Sequence, residues 1–134
     1  MNKQYNLFLD DVRMPKDVTW IELPLLEWVI VRNYKEFIDC ITKYKLPSIC
    51  SFDHDLGNEH YEEFFRAKET DNTIRYNNFK EKTGYDAAKW LCNYCLDKNI
   101  NIPEYYIHTL NPIGGTNIYS ILESTKKHMA ENKG

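Results

Sequence analysis

Three short apolar runs in this chain stop abruptly on residues that carry chemistry, and this pattern limits the possible fold more than any other feature. Tyr5-Asn6-Leu7-Phe8-Leu9 runs into Asp10 and Asp11, Ser48-Ile49-Cys50-Ser51-Phe52 into Asp53, His54 and Asp55, and Tyr105-Tyr106-Ile107 into His108. Runs this short and this apolar read as buried strands. A further run, Glu27-Trp28-Val29-Ile30-Val31-Arg32, is β-branched and aromatic and reads as a strand too.

Helical periodicity fills most of the space between them. Asn33 with Glu36 forms a capping-box start to a helix whose apolar stripe is Tyr34, Phe37, Ile38, Ile41 and Tyr44, and Pro47 closes it. Thr83 and Asp86 are a second capping pair, opening a helix with Ala88, Leu91, Cys92 and Cys95 on one face. After Pro112, Gly114 and Gly115, a last helix carries Ile118, Ile121, Leu122, Thr125 and Met129. The order β, β, α, β, α, β, α predicts an α/β fold with a mostly parallel four-stranded sheet and right-handed crossovers. Two stretches show no such period. The residues after Asp11 carry Pro15 and Pro24 and read as a loop. From Asn58 to Lys82, Glu59, Glu62, Glu63, Glu69 and Asp71 mix with Phe64, Phe65, Tyr76 and Phe79, so 58–82 is expected to be an insertion or long loop.

Size and charge narrow the partners. A chain of 134 residues suits a single domain over 1–134, burying about 68% of its unfolded surface without staples. Seventeen basic residues against twenty acidic ones give a net charge of −3, which argues against binding long nucleic acid. The polar start and the lack of a long apolar stretch predict a cytoplasmic protein with no membrane partner. In that compartment Cys40, Cys50, Cys92 and Cys95 are expected to be free, buried thiols, Cys92-x-x-Cys95 included, since both sulfurs fall on an apolar helical stripe.

In parallel sheets the ligand crevice lies outside the carboxyl ends of the strands. That rule would gather Asp10, Asp11, Asp53, Asp55, His54 and His108 from distant parts of the chain. Clustered carboxylates repel unless a cation sits among them, and a hard divalent ion such as Mg²⁺ is the natural occupant. Asp55 would join that shell or orient a histidine. His54 would point away from its neighbours on a strand, or into the crevice if the chain turns there. Arg13 would pair with the carboxylates or grip a phosphate. The turn from Asn111 through Gly114 to Asn117 opens a helix, where backbone N–H groups favour an anion. His60 and His128 lie outside this pattern. A cation, an anion cradle and two proton-transfer candidates at one edge suggest a phosphate-containing substrate.

The segments Leu7 to Pro15, Ser51 to Gly57, Thr83 to Leu91 and His108 to Asn117 together resemble the cyclic-phosphate-processing receiver-like family, a divergent branch of the two-component receiver fold. The likeness covers nearly the whole chain except about 58–82 and the tail. It implies a receiver-like, flavodoxin-like three-layer sandwich, with Asp10 and Asp11 as the metal-binding acidic pair and Asp53 at the phospho-acceptor position. The family is proposed to act on cyclic or terminal phosphates of nucleotides or RNA. His108-Thr109 stands where a receiver has its Ser/Thr, and no fifth strand with a terminal Lys is expected after the last helix; both departures favour phosphoester turnover over signalling.

The function expected from residues and resemblance together is a Mg²⁺- or Mn²⁺-dependent phosphoesterase acting on a small nucleotide or RNA-end phosphate, cyclic ones among the candidates. Asp10, Asp11, Asp53 and Asp55 would hold the metal, and His54 and His108 would serve as base and acid beside Asp53. Arg13, Asn111, Gly114 and Asn117 would hold phosphate. The alternatives are a module that sequesters a phosphate-containing signalling nucleotide without cleaving it, and a phospho-accepting receiver domain.

Overall fold

Strand β1 (Asn6–Leu9) lies between β2 (Val29–Val31) and β3 (Ile49–Phe52), and β3 pairs on its far side with β4 (Glu104–Ile107). The order β2-β1-β3-β4 is parallel throughout. These elements come from a computed structural model that describes residues 4–132. Parallel neighbours need crossovers. Helix α1 (Tyr34–Tyr44) supplies the one from β2 to β3, α2 (Asn58–Glu69) and α3 (Gly84–Lys98) the one from β3 to β4, and α4 (Pro112–Glu131) follows β4. The parallel α/β sheet expected from the alternation of strand and helix patterns, and the receiver-like architecture implied by the resemblance, are those observed.

Register sorts the strand side chains by face. Leu7 stands opposite Val29 and Cys50, and Leu9 opposite Val31 and Phe52. Leu7, Leu9, Val31, Cys50 and Phe52 therefore share a face, where they pack with Phe37 and Ile41 of α1, Ala88 and Leu91 of α3, and Ile118 and Leu122 of α4 in one continuous core. Each fully buried Leu, Ile or Phe there contributes about 1.5–3 kcal/mol of transfer free energy. Phe8 and Ser51, also opposite one another, point the other way and are fully buried. Their cover includes the irregular segment between β1 and β2, which has a 3-10 turn at Pro15–Asp17 and sets Trp28 edge-on to Phe8 at 6.1 Å. The layer next to Phe8 is thus partly loop.

The predicted caps form. Asn33 accepts the Glu36 N–H at 2.8 Å, while the Glu36 carboxylate takes the Arg32 N–H instead of closing the box on Asn33. Thr83 and Asp86 make the complete reciprocal pair at the start of α3. Helix α1 ends on Lys45 at φ 72°, two residues before Pro47.

Residues 58–82 correct the long-loop expectation: Asn58–Glu69 is α2, and Tyr76–Asn78 is a 3-10 turn. Only His60 and Ala67 of α2 are buried, so the helix has no apolar stripe for periodicity to reveal. Polar bonds hold the segment together. His60 accepts the Leu56 N–H at Nδ1 and donates from Nε2 to the Glu81 carbonyl, Arg66 pairs with Glu63, and Glu63 also takes the Arg75 N–H.

All four cysteines are buried and free, as expected. Burial pushes their thiols up, Cys95 to about 12. Few thiolates then form at neutral pH, and access is closed. A thiol reagent should label the native protein only at the rate of global opening, and label four thiols at once in strong denaturant. Fast native labelling of Cys92 or Cys95 would show that the pair is not a core element.

Candidate functional site

The backbone ladder of the sheet continues one residue past the strands. Asp10 N–H donates to the Val31 carbonyl at 3.1 Å, Asp53 N–H to Leu9 at 2.9 Å, and His108 N–H to Phe52 at 2.9 Å. Three residues from distant parts of the sequence are thereby fixed at the carboxyl edge of the sheet, where parallel α/β folds place ligands.

Asp10 is fully buried and held on several sides. Its Oδ1 accepts the N–H groups of Val12 and Arg13 at 3.0 and 2.9 Å. Its Oδ2 faces His108 Nε2 at 3.1 Å and the Arg13 guanidinium at 3.5 Å. Burial works against the charge of Asp10, but the bonds from His108 and the two amides outweigh it and lower its pKa to about 2. Arg32 fastens the same turn by donating to the carbonyls of Asp10 and Arg13 at 3.1 and 2.7 Å. His108, also fully buried, stacks on Phe8 with ring centroids 4.4 Å apart, and its Nδ1 meets Ser51 Oγ at 2.7 Å. Burial pushes the pKa of His108 down, with Asp10 opposing. The indole of Trp20 donates to the His108 carbonyl at 2.8 Å, and the Arg13 guanidinium lies 5.2 Å from the Trp20 ring centre.

Asp11 and Asp53 differ from Asp10 in being under-satisfied. Asp11 Oδ1 and Asp53 Oδ2 are buried with no hydrogen-bond partner among the described residues. Burial, and next the negative charge of Asp10, pushes Asp53 up to about 8 and Asp11 upward as well. Arg13 reaches only to 3.9 Å of Asp53 Oδ2. The Thr109 hydroxyl and the Arg13 charge relieve Asp53 in part. One ligand oxygen from each of Asp10, Asp11 and Asp53 falls within 4.8 Å of the others. Hard oxygens in mutual repulsion, two residues having a lone pair left over, fit a divalent cation of the Mg²⁺ or Mn²⁺ kind. The Tyr61 phenol of α2 stands in the same field: burial, then the charges of Asp53 and Asp11, raise its pKa.

Asp55, expected either among the metal ligands or orienting a histidine, lies outside this trio. It belongs to a second buried cluster, with Oδ1 2.7 Å from His54 Nδ1 and both oxygens taking the Asn111 amide at 3.2 and 3.3 Å. His54 Nε2 meets the Tyr76 hydroxyl at 2.9 Å, and that oxygen also accepts the Asn117 amide at 2.9 Å. A carboxylate at Nδ1 makes that nitrogen the donor, so Nε2 suits the Tyr76 O–H as acceptor. His54 packs so closely on α4 that a Cβ at Gly114 would lie 2.3 Å from its ring, which only glycine avoids.

The expected phosphate cradle is therefore already occupied by the protein itself. Asn111 caps α4 by accepting the Gly114 N–H at 2.9 Å, and Asn117 is bonded to Tyr76. Asn111 is buried against His54 and Asp55, and Gly114 against His54. Arg13 alone of the four expected phosphate residues stands at the trio, with a quarter of its side chain exposed. The histidines expected as free base and acid are fully buried with both ring nitrogens engaged. Sequence reading missed Ser51, Trp20, Arg32, Tyr61 and Tyr76. Ser51 had a signal, as the lone hydroxyl inside an apolar strand; Tyr76, 22 residues from His54, had none.

No curated protein and no solved structure matches this chain. The family model of the cyclic-phosphate processing receiver domain does match it, over residues 5–124. That stretch runs from the approach to β1 well into α4 and takes in both buried clusters at the sheet edge. With nearly the whole described chain inside the match, the protein belongs to the cyclic-phosphate processing receiver domain family.

Proposed function

We propose that the protein is a divalent-metal-dependent phosphoesterase acting on a nucleotide or RNA-end phosphate, cyclic phosphates included. The observation that carries this reading is the trio of Asp10, Asp11 and Asp53, with two buried carboxylate oxygens lacking a hydrogen-bond partner among the described residues and Arg13 at their rim. A bound Mg²⁺ or Mn²⁺ would polarise a phosphoryl oxygen or make a bound water acidic. The protein's own part is to hold three carboxylates in fixed register and to present the Arg13 guanidinium, sheltered on Trp20, to an anion. Thr109 beside Asp53 and the Tyr61 phenol offer hydroxyl groups to the same space.

The test is turnover of a panel of cyclic nucleotides and 2′,3′-cyclic-phosphate ends with Mg²⁺ or Mn²⁺. Activity should vanish with chelator and fall by at least about 10²-fold in Asp53→Asn, as expected for losing a ligand of the metal that would polarise the phosphoryl group. A metal-loaded protein that turns over no member of the panel would remove the enzyme reading. One observation favours a second reading, a sequestering module: neither His54 nor His108 has a free ring nitrogen for proton transfer. Ligand recovered unchanged from a denatured, saturated complex would select it.

A further inference from the structure

We propose that His108 is a positioning residue for Asp10, and that Ser51 in turn satisfies the Nδ1 lone pair of the tautomer in which His108 performs that role. The inference rests on the reading of the acidic trio as a divalent-cation site. It departs from any assignment of His108 as an acid or base.

The geometry runs inward from the site. Asp10 Oδ2 is 3.1 Å from His108 Nε2, and His108 Nδ1 is 2.7 Å from Ser51 Oγ, with all three residues fully buried. An ionised carboxylate only accepts, so Nε2 must carry the proton and donate it to Asp10. A neutral ring then has a lone pair at Nδ1, which Ser51 satisfies by donating its O–H. Among the described residues, Asp10 at Nε2 and Ser51 at Nδ1 are the polar side chains bonded to the ring. The ring cannot swing, because it is stacked flat on Phe8 at 6° and the backbone on either side of it is tied, N–H to Phe52 and carbonyl to the Trp20 indole.

The contrast within the trio makes the role specific. Asp10 receives two backbone amides, His108 and Arg13, whereas Asp11 and Asp53 each keep a buried oxygen with no hydrogen-bond partner among the described residues. Asp10 is thus the carboxylate held from the most sides before any cation arrives, and the other two each keep a buried oxygen open to it. A histidine donating to a metal-binding carboxylate is an outer-shell support, and such partners change metal affinity by roughly 10–100-fold.

Calorimetric titration of the metal-free full chain with MnCl₂ tests this, with melting followed by circular dichroism to show that each variant is folded. His108→Ala should weaken Mn²⁺ binding by roughly 10–100-fold. His108→Gln, which keeps a side-chain N–H donor, should recover most of that loss. Ser51→Ala should weaken binding by roughly threefold to tenfold, the effect of one unmade buried hydrogen bond. Wild-type affinity in a folded His108→Ala protein would overturn the inference, as would His108→Gln binding no better than His108→Ala, since loss of shape would then explain everything. If His108→Ala does not fold, Ser51→Ala decides: unchanged Mn²⁺ affinity there overturns the proposal. Absence of Mn²⁺ binding by the wild-type chain would instead defeat the cation-site reading itself, and this inference with it.

Discussion

Gly84→Ala should lower the melting temperature by at least about 10 °C and lose most of the protein's ability to bind a divalent cation. A Cβ at Gly84 would lie 1.7 Å from the Asp53 carbonyl oxygen, 2.8 Å from its carbonyl carbon and 3.0 Å from His54 Cα. All three are backbone atoms of the chain leaving β3, so no rotamer change relieves the clash. Either α3 or the Asp53–His54 backbone must retreat. Moving α3 breaks the Gly84 N–H bond to the His54 carbonyl at 2.8 Å and loosens Ala87 and Ala88, both fully buried, from the core. Moving Asp53 disturbs the trio. Overpacking against side chains costs about 1–3 kcal/mol, and a backbone obstacle belongs at or above the top of that range. Gly57→Ala is the control: nothing lies within 4 Å of its added carbon, and the change should cost less than about 1 kcal/mol. Thermal melts of the two variants side by side check the argument, and equal, small shifts would show that the packing at Gly84 is not tight.

Asp53→Asn should be more stable than the wild type at pH 8 in chelator, with the gap closing as the pH falls toward 4. The Asp53 pKa is pushed up to about 8 by burial and by Asp10. Below about pH 4 the carboxyl is protonated in both folded and unfolded chains, and its stabilising proton is fully in place. Between about 4 and 8 the unfolded chain loses that proton while the folded one keeps it, so stability falls as the pH rises; above about 8 the loss is complete. Four units at 1.36 kcal/mol each set an upper scale of about 5 kcal/mol. Asp10 acts in the opposite sense: its pKa of about 2 stabilises the fold above about 4 and that contribution is lost as the pH falls through 2. Asparagine carries no charge to repel Asp10, so the alkaline loss should disappear in the variant. Adding Mn²⁺ should then reverse the ranking, stabilising the wild type more than Asp53→Asn by mass action on the folded state. Parallel pH–melting curves for the two proteins would show that Asp53 is not held protonated.

What the sequence made legible was mostly backbone. Short apolar runs stopped by Asp or His placed β1, β3 and β4 within a residue or two, and Thr83 with Asp86 placed the start of α3. The sheet-edge rule brought Asp10, Asp11 and Asp53 together. Side-chain commitments were harder to see. Asn111 and Gly114 looked like an anion cradle because a glycine-bearing helix start offers free N–H groups, but an asparagine at the cap takes one of those groups itself. Asp55 was open to two roles, joining the metal shell or orienting a histidine, and the turn after β3 directs it to His54 and Asn111. Helix α2 was invisible because two buried residues in twelve make no stripe. Tyr76 was invisible because its role is set by a contact across 22 residues of chain with no regular period.

The extra rung of the sheet ladder has a consequence for how the site is lost. Asp10, Asp53 and His108 hang on inter-strand bonds to Val31, Leu9 and Phe52, so their amides open only when the middle of the sheet opens. In hydrogen exchange they should group with the slowest core amides, unlike a loop-borne site, which frays on its own. The freedom of these three residues is surrendered during folding, and a ligand arriving later has little left to order. A site built this way is present in full or absent with the whole fold, and the mobile part of recognition falls to side chains at its rim, Arg13 first among them.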